Sequence, residues 1–316
     1  MGSTIRPRFS KVLVCDARGD EIAAYVTARR PDLHCRVRAA DNLTVEDHTW
    51  ADALIGFTVP MALEHSSIRW VHSTGAGVDG LLSGRPWPEG VTLTRSTGTL
   101  GDRMAEYCVG YALVQSQRIL RFQRDQTARR WTPVEPETIR NSTAVILGTG
   151  SVGAAIAARF DALGCVTIGV SRRGHPHPNF AQVHAVTELA AAVPAARWLV
   201  LAAPLTPDTR GLVGARVLNS CRGAFLINVA RGELLETGAL LAALKTRALV
   251  GAALDVFDEE PLPEDSPLWE APNVVITPHI AGVTHVTEAG AAFLEALSKL
   301  EAGEPTSMAV NTVRGY

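Results

Sequence analysis

The sequence predicts a parallel α/β protein built as two units. Three observations carry that expectation. Short apolar runs alternate with helix-patterned stretches along most of the chain, as in strand–helix–strand crossovers. A helical stretch with few breakers, residues 102–129, separates two sets of such runs and reads as a connector. The length of 316 residues suits about two domains.

The first set comprises Lys11–Cys15 (KVLVC), Ala53–Gly56 (ALIG), Trp70–Ser73 (WVHS) and, as a fourth, Val91–Thr94 (VTLT), with helical segments between them. The second begins at Thr143 with TAVILG and continues through VTIGV, WLVLAAP, AFLINVA, LVGAALDV and NVVIT. Residues 284–302 return to helical spacing, with Ala289, Phe293, Leu297 and Leu300 on one stripe. Chain termini tend to meet, so this last segment is expected to rejoin the first domain. The expected division is 1–101 plus 285–316 against 102–284.

Composition narrows the partners. Apolar residues make up 47% and charged residues 20%, and 30 Lys plus Arg against 32 Asp plus Glu leaves a net charge of −2. That argues against nucleic acid or a membrane surface as the main partner. The five cysteines, Cys15, Cys35, Cys108, Cys165 and Cys221, form no CxxC and read as small buried hydrophobes in a reducing compartment. MGSTIRPRFSKVLVCD lacks the apolar core of a signal peptide, and no run approaches the ~18 apolar residues of a spanning helix. The expected location is the cytoplasm.

The strand TAVILG runs into Gly148-Thr149-Gly150-Ser151-Val152-Gly153, and a helix follows with Val152, Ile156, Phe160 and Leu163 on one face. GxGxxG between a strand and a helix marks a dinucleotide site. Glycine lets backbone N–H groups approach a pyrophosphate, and the helix N-terminus favours its charge. A second glycine turn, Gly75-Ala76-Gly77-Val78-Asp79, follows WVHST. It reads either as a plain connection or as a carboxylate-binding turn.

Three successive strands of the second set end in chemically useful residues. AFLINVA ends at Arg231-Gly232, LVGAALDV shortly before Asp258-Glu259-Glu260, and NVVIT at Pro278-His279. Ligands of open parallel sheets bind outside the carboxyl ends of the strands. An arginine, a carboxylate and a histidine are therefore delivered to one edge. His175, His177 and His184 lie in or after a polar loop and read as solvated rather than metal-binding, so no metal is expected. His72 within a strand and His285 at a helix start need only structural roles.

The cofactor is legible in VSRRGHPHPN, residues 170–179. An NAD site places an acid at the tip of the second strand, about 20 residues beyond the glycines, to hold the ribose 2′-hydroxyl. Here that tip reads Ser171-Arg172-Arg173, and no Asp or Glu occurs from residue 162 through 187. A hydroxyl and two guanidinium groups suit a 2′-phosphate. NADP is expected in preference to NAD.

Together these residues resemble the D-2-hydroxyacid dehydrogenase family over nearly the whole chain. The most specific pieces are LINVARG (Leu226–Gly232), ALDVFDEEPLP (Ala253–Pro263), SPLW (Ser266–Trp269), ITPHIAG (Ile276–Gly282) and PLTPDTRG (Pro204–Gly211). RWVHSTGAGVDGLL and MAEY (Met104–Tyr107) look most like the short glyoxylate/hydroxypyruvate reductase branch. The resemblance implies two Rossmann- or flavodoxin-like domains, each a doubly wound parallel sheet, with the cleft between them, and a homodimer. It implies that His279 is the acid/base, that Glu260 orients it, and that Arg231 binds substrate carboxylate and carbonyl. It further implies that the Ala76 and Gly77 backbone takes the carboxylate and that Asp255 lies near the nicotinamide carboxamide. Pro204, Thr209 and Val229 fall in the matching cofactor segments. Phe57, Met61 and Trp131 are candidate pocket liners. The activity implied is reduction of a 2-oxo acid to a D-2-hydroxy acid. The alternatives are a nucleotide-sensing, corepressor-like protein on the same scaffold and a reductase of one unusual oxo acid.

Overall fold

The computed structural model describes residues 8–57, 59, 63–82 and 86–315. The chain divides into two compact units, Met1–Leu100 with Val283–Tyr316, and Gly101–Gly282.

The first unit holds β1 (Lys11–Cys15), β2 (His34–Val37), β3 (Ala53–Gly56), β4 (Trp70–Ser73) and β5 (Thr92–Arg95). They form a parallel sheet in the order β2-β1-β3-β4-β5. Side chains alternate between faces along each strand. Val12, Val14, Ile55 and Trp70 pack beneath the helices Gly19–Arg29 and Val286–Ala302. Leu13, Leu54, Val71 and Leu93 pack on the opposite face with Val59, Ile68 and Val78. Trp70 stacks on Phe293 at 4.5 Å between ring centroids, which ties the C-terminal helix to β4. Ala289, Phe293 and Leu297 of that helix are buried, as the expected stripe requires.

The second unit holds β6 (Thr143–Leu147), β7 (Val166–Ser171), β8 (Gln182–Ala185), β9 (Trp198–Leu201), β10 (Ala224–Asn228), β11 (Leu249–Leu254) and β12 (Val274–Ile276). All pairings are parallel, in the order β12-β11-β10-β9-β6-β7-β8. The chain builds outward from β6 to β8, then crosses back to β9 on the other side of β6. That reversal creates a switch point at the carboxyl ends of β6 and β9, where open parallel sheets take ligands. Alternate residues again fill two core faces, Val145, Leu147 and Leu226 on one and Ile146, Val200 and Ile227 on the other.

Three features depart from the sequence reading. β2 and β8 were not anticipated. Both are edge strands with half-exposed, partly polar sequences, HCRV and QVHA. The connector is two helices, Leu100–Ser116 and Ile119–Thr127, broken where Arg118 adopts a left-handed φ of 57° and its guanidinium meets Glu137. β5 runs one residue past VTLT and ends on Arg95.

Candidate active site

The neighbouring strands β10, β11 and β12 carry the three expected residues to one sheet edge. Beyond β10, buried Asn228 fastens the next turn. Its Oδ1 accepts from Ala230 N at 3.1 Å and its Nδ2 donates to Arg231 O at 3.0 Å. Arg231 Nη1 donates to Ala230 O at 2.6 Å. Gly232 lets this turn approach the segment after β11, since a Cβ there would lie 1.9 Å from Phe257 C.

Beyond β11, Glu260 faces both ways. Its Oε1 accepts from Phe257 N at 2.9 Å and its Oε2 lies 2.7 Å from His279 Nδ1. Of the three consecutive acids, this is the one bonded to the histidine. Nε2 of the ring makes no hydrogen bond to protein among the described residues. His279 has φ of 54°, a left-handed conformation that is uncommon outside glycine and tends to mark functional turns.

A clamp holds that conformation. Asp255, 1% exposed, accepts from Thr277 Oγ1 at 2.6 Å, Ile280 N at 2.9 Å and Ala281 N at 2.8 Å. Its carbonyl accepts from His279 N at 2.8 Å. Thr277 gives its only proton to Asp255, so the 2.7 Å contact between Tyr107 OH and Thr277 Oγ1 has the tyrosine donating. Burial pushes the Tyr107 phenol well above its ordinary value and keeps it a donor. Asp255 thus grips both flanks of His279 through buried, charge-assisted bonds. Tyr107, Thr277 and Asn228 carried no functional signal in the sequence beyond lying in, or next to, apolar strands and helices.

The glycine turn after β6 has the form a pyrophosphate needs. A Cβ at Gly153 would lie 1.9 Å from Gly148 O, so strand and helix meet closely only without side chains. A Cβ at Gly150 would meet nothing within 4 Å, which leaves its backbone open to a ligand. Ser151 and Val152 begin the helix Ser151–Ala162. These residues fit a dinucleotide. After β7, Ser171 Oγ accepts from Gly174 N at 3.1 Å and shapes the turn carrying Arg172 and Arg173. Both arginines are exposed and neither forms an ion pair among the described residues. After β9, Thr209 Oγ1 donates to Pro204 O at 2.7 Å and closes the 204–209 loop. Val229 is buried in the core, so only its backbone is open to a cofactor.

In the first unit, the turn after β4 is fastened by Ser73, whose Oγ accepts from Gly75 N at 3.4 Å. Ser73 Oγ donates to Gly77 O at 3.2 Å, and the N–H groups of Ala76 and Gly77 find no acceptor among the described residues. The Phe57 ring lies against Gly75, its Cε1 2.7 Å from where a Cβ would stand. Met61 lies outside the described residues. Trp131 is 98% exposed, in the segment following the connector helices.

The chain is similar to known proteins over most of its length. Residues 109–281 match the family described as D-isomer specific 2-hydroxyacid dehydrogenase, NAD binding domain. Glyoxylate/hydroxypyruvate reductase A of Escherichia fergusonii is 35% identical over 278 residues, 85% of this chain and 89% of that protein. A D-isomer specific 2-hydroxyacid dehydrogenase from Xanthobacter autotrophicus Py2, solved with NADPH and MES, superposes with a TM-score of 0.90 at 32% identity, covering 98% of this chain and 100% of the other. An NADPH-dependent glyoxylate/hydroxypyruvate reductase from Sinorhizobium meliloti, solved with NADP and sulfate, gives a TM-score of 0.87 at 27% identity, covering 97% and 100%. The chain belongs to the D-isomer specific 2-hydroxyacid dehydrogenase family, oxidoreductases with a nicotinamide-cofactor domain. Among the described residues, no helix is long and apolar enough to cross a membrane.

Proposed function

We propose that the protein is an NADP-dependent reductase that converts a small 2-oxo acid to its D-2-hydroxy acid. The observation that carries the reading is the 2.7 Å bond between His279 Nδ1 and Glu260 Oε2 at the sheet edge where Arg231 also stands. The reductase names of two relatives support it and make glyoxylate and hydroxypyruvate the first substrates to try.

Reduction puts a hydride on C2 and a proton on its oxygen. A bound reduced nicotinamide supplies the hydride. His279 Nε2 gives the proton, and Glu260 holds Nδ1–H so that the other nitrogen faces the oxo group. Arg231 matches the planar carboxylate with its fork and polarises the carbonyl. The Ala76–Gly77 backbone takes the carboxylate, beside Phe57. Gly148, Gly150, Ser151, Val152 and Gly153 hold the pyrophosphate, and Pro204, Thr209, Val229 and Asp255 border the rest of the cofactor. Ser171, Arg172 and Arg173 hold the 2′-phosphate. Complexes of two relatives with NADPH or NADP support that choice. The protein works in the cytoplasm as a homodimer. Exposed Ile119, Phe122 and Trp131 favour burial against a second copy.

Oxidation of NADPH and NADH is to be followed with glyoxylate, hydroxypyruvate, phenylpyruvate and branched 2-oxo acids, with chiral analysis of products. NADPH should be preferred. Arg172→Ala combined with Arg173→Ala should raise KM for NADPH by roughly 10–100-fold and leave KM for NADH nearly unchanged. Silence with every acid removes the reductase, and an equal loss with both cofactors removes the phosphate site.

A further inference from the structure

Arg95 is the last residue of β5, paired in register with Ser73 at the end of β4. Its backbone N donates to Met308 O at 3.0 Å, so the strand end is held in place. Its side chain is half-buried and reaches the turn after β4, where Nη1 donates to Ala76 O at 3.1 Å. A guanidinium carries five N–H donors, and this contact uses one.

Four other half-buried arginines of this protein hold carboxylates, while Arg18 meets only the Thr284 carbonyl among the described residues. Arg30 pairs with Asp32 and Glu301, Arg36 with Asp47, and Arg118 and Arg197 with Glu137. Arg95 has no acidic partner among the described residues. Burial alone acts on it and pushes its guanidinium below its ordinary value. Removing a charge from water without a counter-charge is unfavourable. A brace for one carbonyl needs only a neutral donor. A guanidinium with donors to spare at this turn can also receive an anion.

The surroundings give that anion its shape. The Arg95 bond draws the Ala76 carbonyl to one side, and Ser73 Oγ draws the Gly77 carbonyl in the same manner. The N–H groups of Ala76 and Gly77 are left without protein acceptors among the described residues. Backbone donors beside a planar guanidinium form a receptor for a small planar carboxylate.

We infer that Arg95 is a carboxylate-binding residue, acting with the Ala76–Gly77 backbone to hold the acid group of the 2-oxo substrate. The inference deepens the reductase reading and rests on it for the identity of the acid. Arg95 selects acids over neutral carbonyl compounds, and it sets KM more than kcat.

The test compares wild type with Arg95→Gln and Arg95→Lys, using NADPH with glyoxylate and with the pair pyruvate and methyl pyruvate. Arg95→Gln should raise KM for the acids roughly 10–100-fold and leave KM for NADPH within about twofold. It should reduce the preference for pyruvate over methyl pyruvate by a similar factor. Arg95→Lys keeps the charge without the fork and should fall between the two, which also serves if the glutamine variant fails to fold. Unchanged KM in a folded variant, or equal losses for acid and ester, would overturn the assignment in favour of a purely structural brace. Oxalate titrated calorimetrically provides a reading without turnover. If wild type reduces no 2-oxo acid but binds oxalate in an Arg95-dependent way, the reaction is wrong and the anion site stands. If oxalate binds wild type and Arg95→Gln equally, the site is wrong whatever the reaction.

Discussion

Two histidines, one within the first sheet and one just beyond a strand of the second, differ in burial and in partners, and the proposed reaction assigns a role only to the second. His72 lies within β4, its side chain 0% exposed, between Thr94 Oγ1 at 2.7 Å and Ser96 Oγ at 3.0 Å. Trp70, two residues earlier on the same face, also donates to Thr94 Oγ1, and Phe293 packs edge-on to the imidazole. Every neighbour is neutral, and burial drives its pKa from 6.5 down to about 3. His279 lies beyond β12, exposed, with a carboxylate on one nitrogen and the other without a protein partner among the described residues. A place inside a central strand, between β3 and β5, commits His72 to the core, whereas His34 and His184 of the edge strands β2 and β8 stay at least partly exposed. Standing past the strand end, after a proline and in a left-handed turn, presents His279 to a ligand.

The largest effect should come from the exposed ring. His279→Ala should lower kcat by roughly 10²–10⁴-fold while KM for NADPH stays nearly constant, as steady-state kinetics will show. Near-normal turnover would erase the contrast between the two histidines.

The buried ring should appear in stability instead. As pH falls below about 6.5 the unfolded chain protonates His72 while the folded protein does not, so stability is lost on acidification and the loss stops growing near pH 3. At about 1.4 kcal/mol per pH unit, this group should remove about 2 kcal/mol between pH 6.5 and pH 5. Urea unfolding of His72→Asn should show a correspondingly flatter dependence over that interval, whatever its stability at neutral pH. Parallel curves for variant and wild type would mean that His72 is not held neutral.

The smallest effect tests how the exposed ring is supported. Tyr107→Phe removes the donor to Thr277 and leaves the Asp255 bonds to Ile280 and Ala281 in place. A fall in kcat of about fivefold, with little change in KM for the oxo acid, is expected for one lost hydrogen bond behind the clamp. A loss as large as that of His279→Ala would make the tyrosine a participant in proton transfer.

How far the sequence could be read follows from burial. Central strands such as TAVIL and WLVL are apolar on both faces and stand out as runs. HCRV and QVHA sit at sheet edges, where one side meets water, and their mixed composition resembles loop. Arg118 gave no warning of the helix break, because its left-handed turn is sustained by a distant partner, Glu137. Arg231, Glu260 and His279 were legible because apolar runs ended in chemically capable residues. Arg95 also ends a strand, but a charged residue after VTLT gives no sign that β5 continues through it. The Tyr107–Thr277–Asp255 chain was hidden because it joins residues up to 170 positions apart.

The Asp255 clamp also bears on how binding energy is used. A catalytic loop that is disordered until substrate arrives must draw on substrate contacts to become ordered, and its affinity or rate falls accordingly. Here a buried carboxylate fastens the Thr277 hydroxyl on one flank of the His279 ring and the Ile280 and Ala281 amides on the other, from within the second unit. The entropy of fixing that loop is lost once, when the chain folds, rather than in each catalytic cycle. In the proposed reaction, contacts with the oxo acid are then free to lower the barrier instead of assembling the group that crosses it.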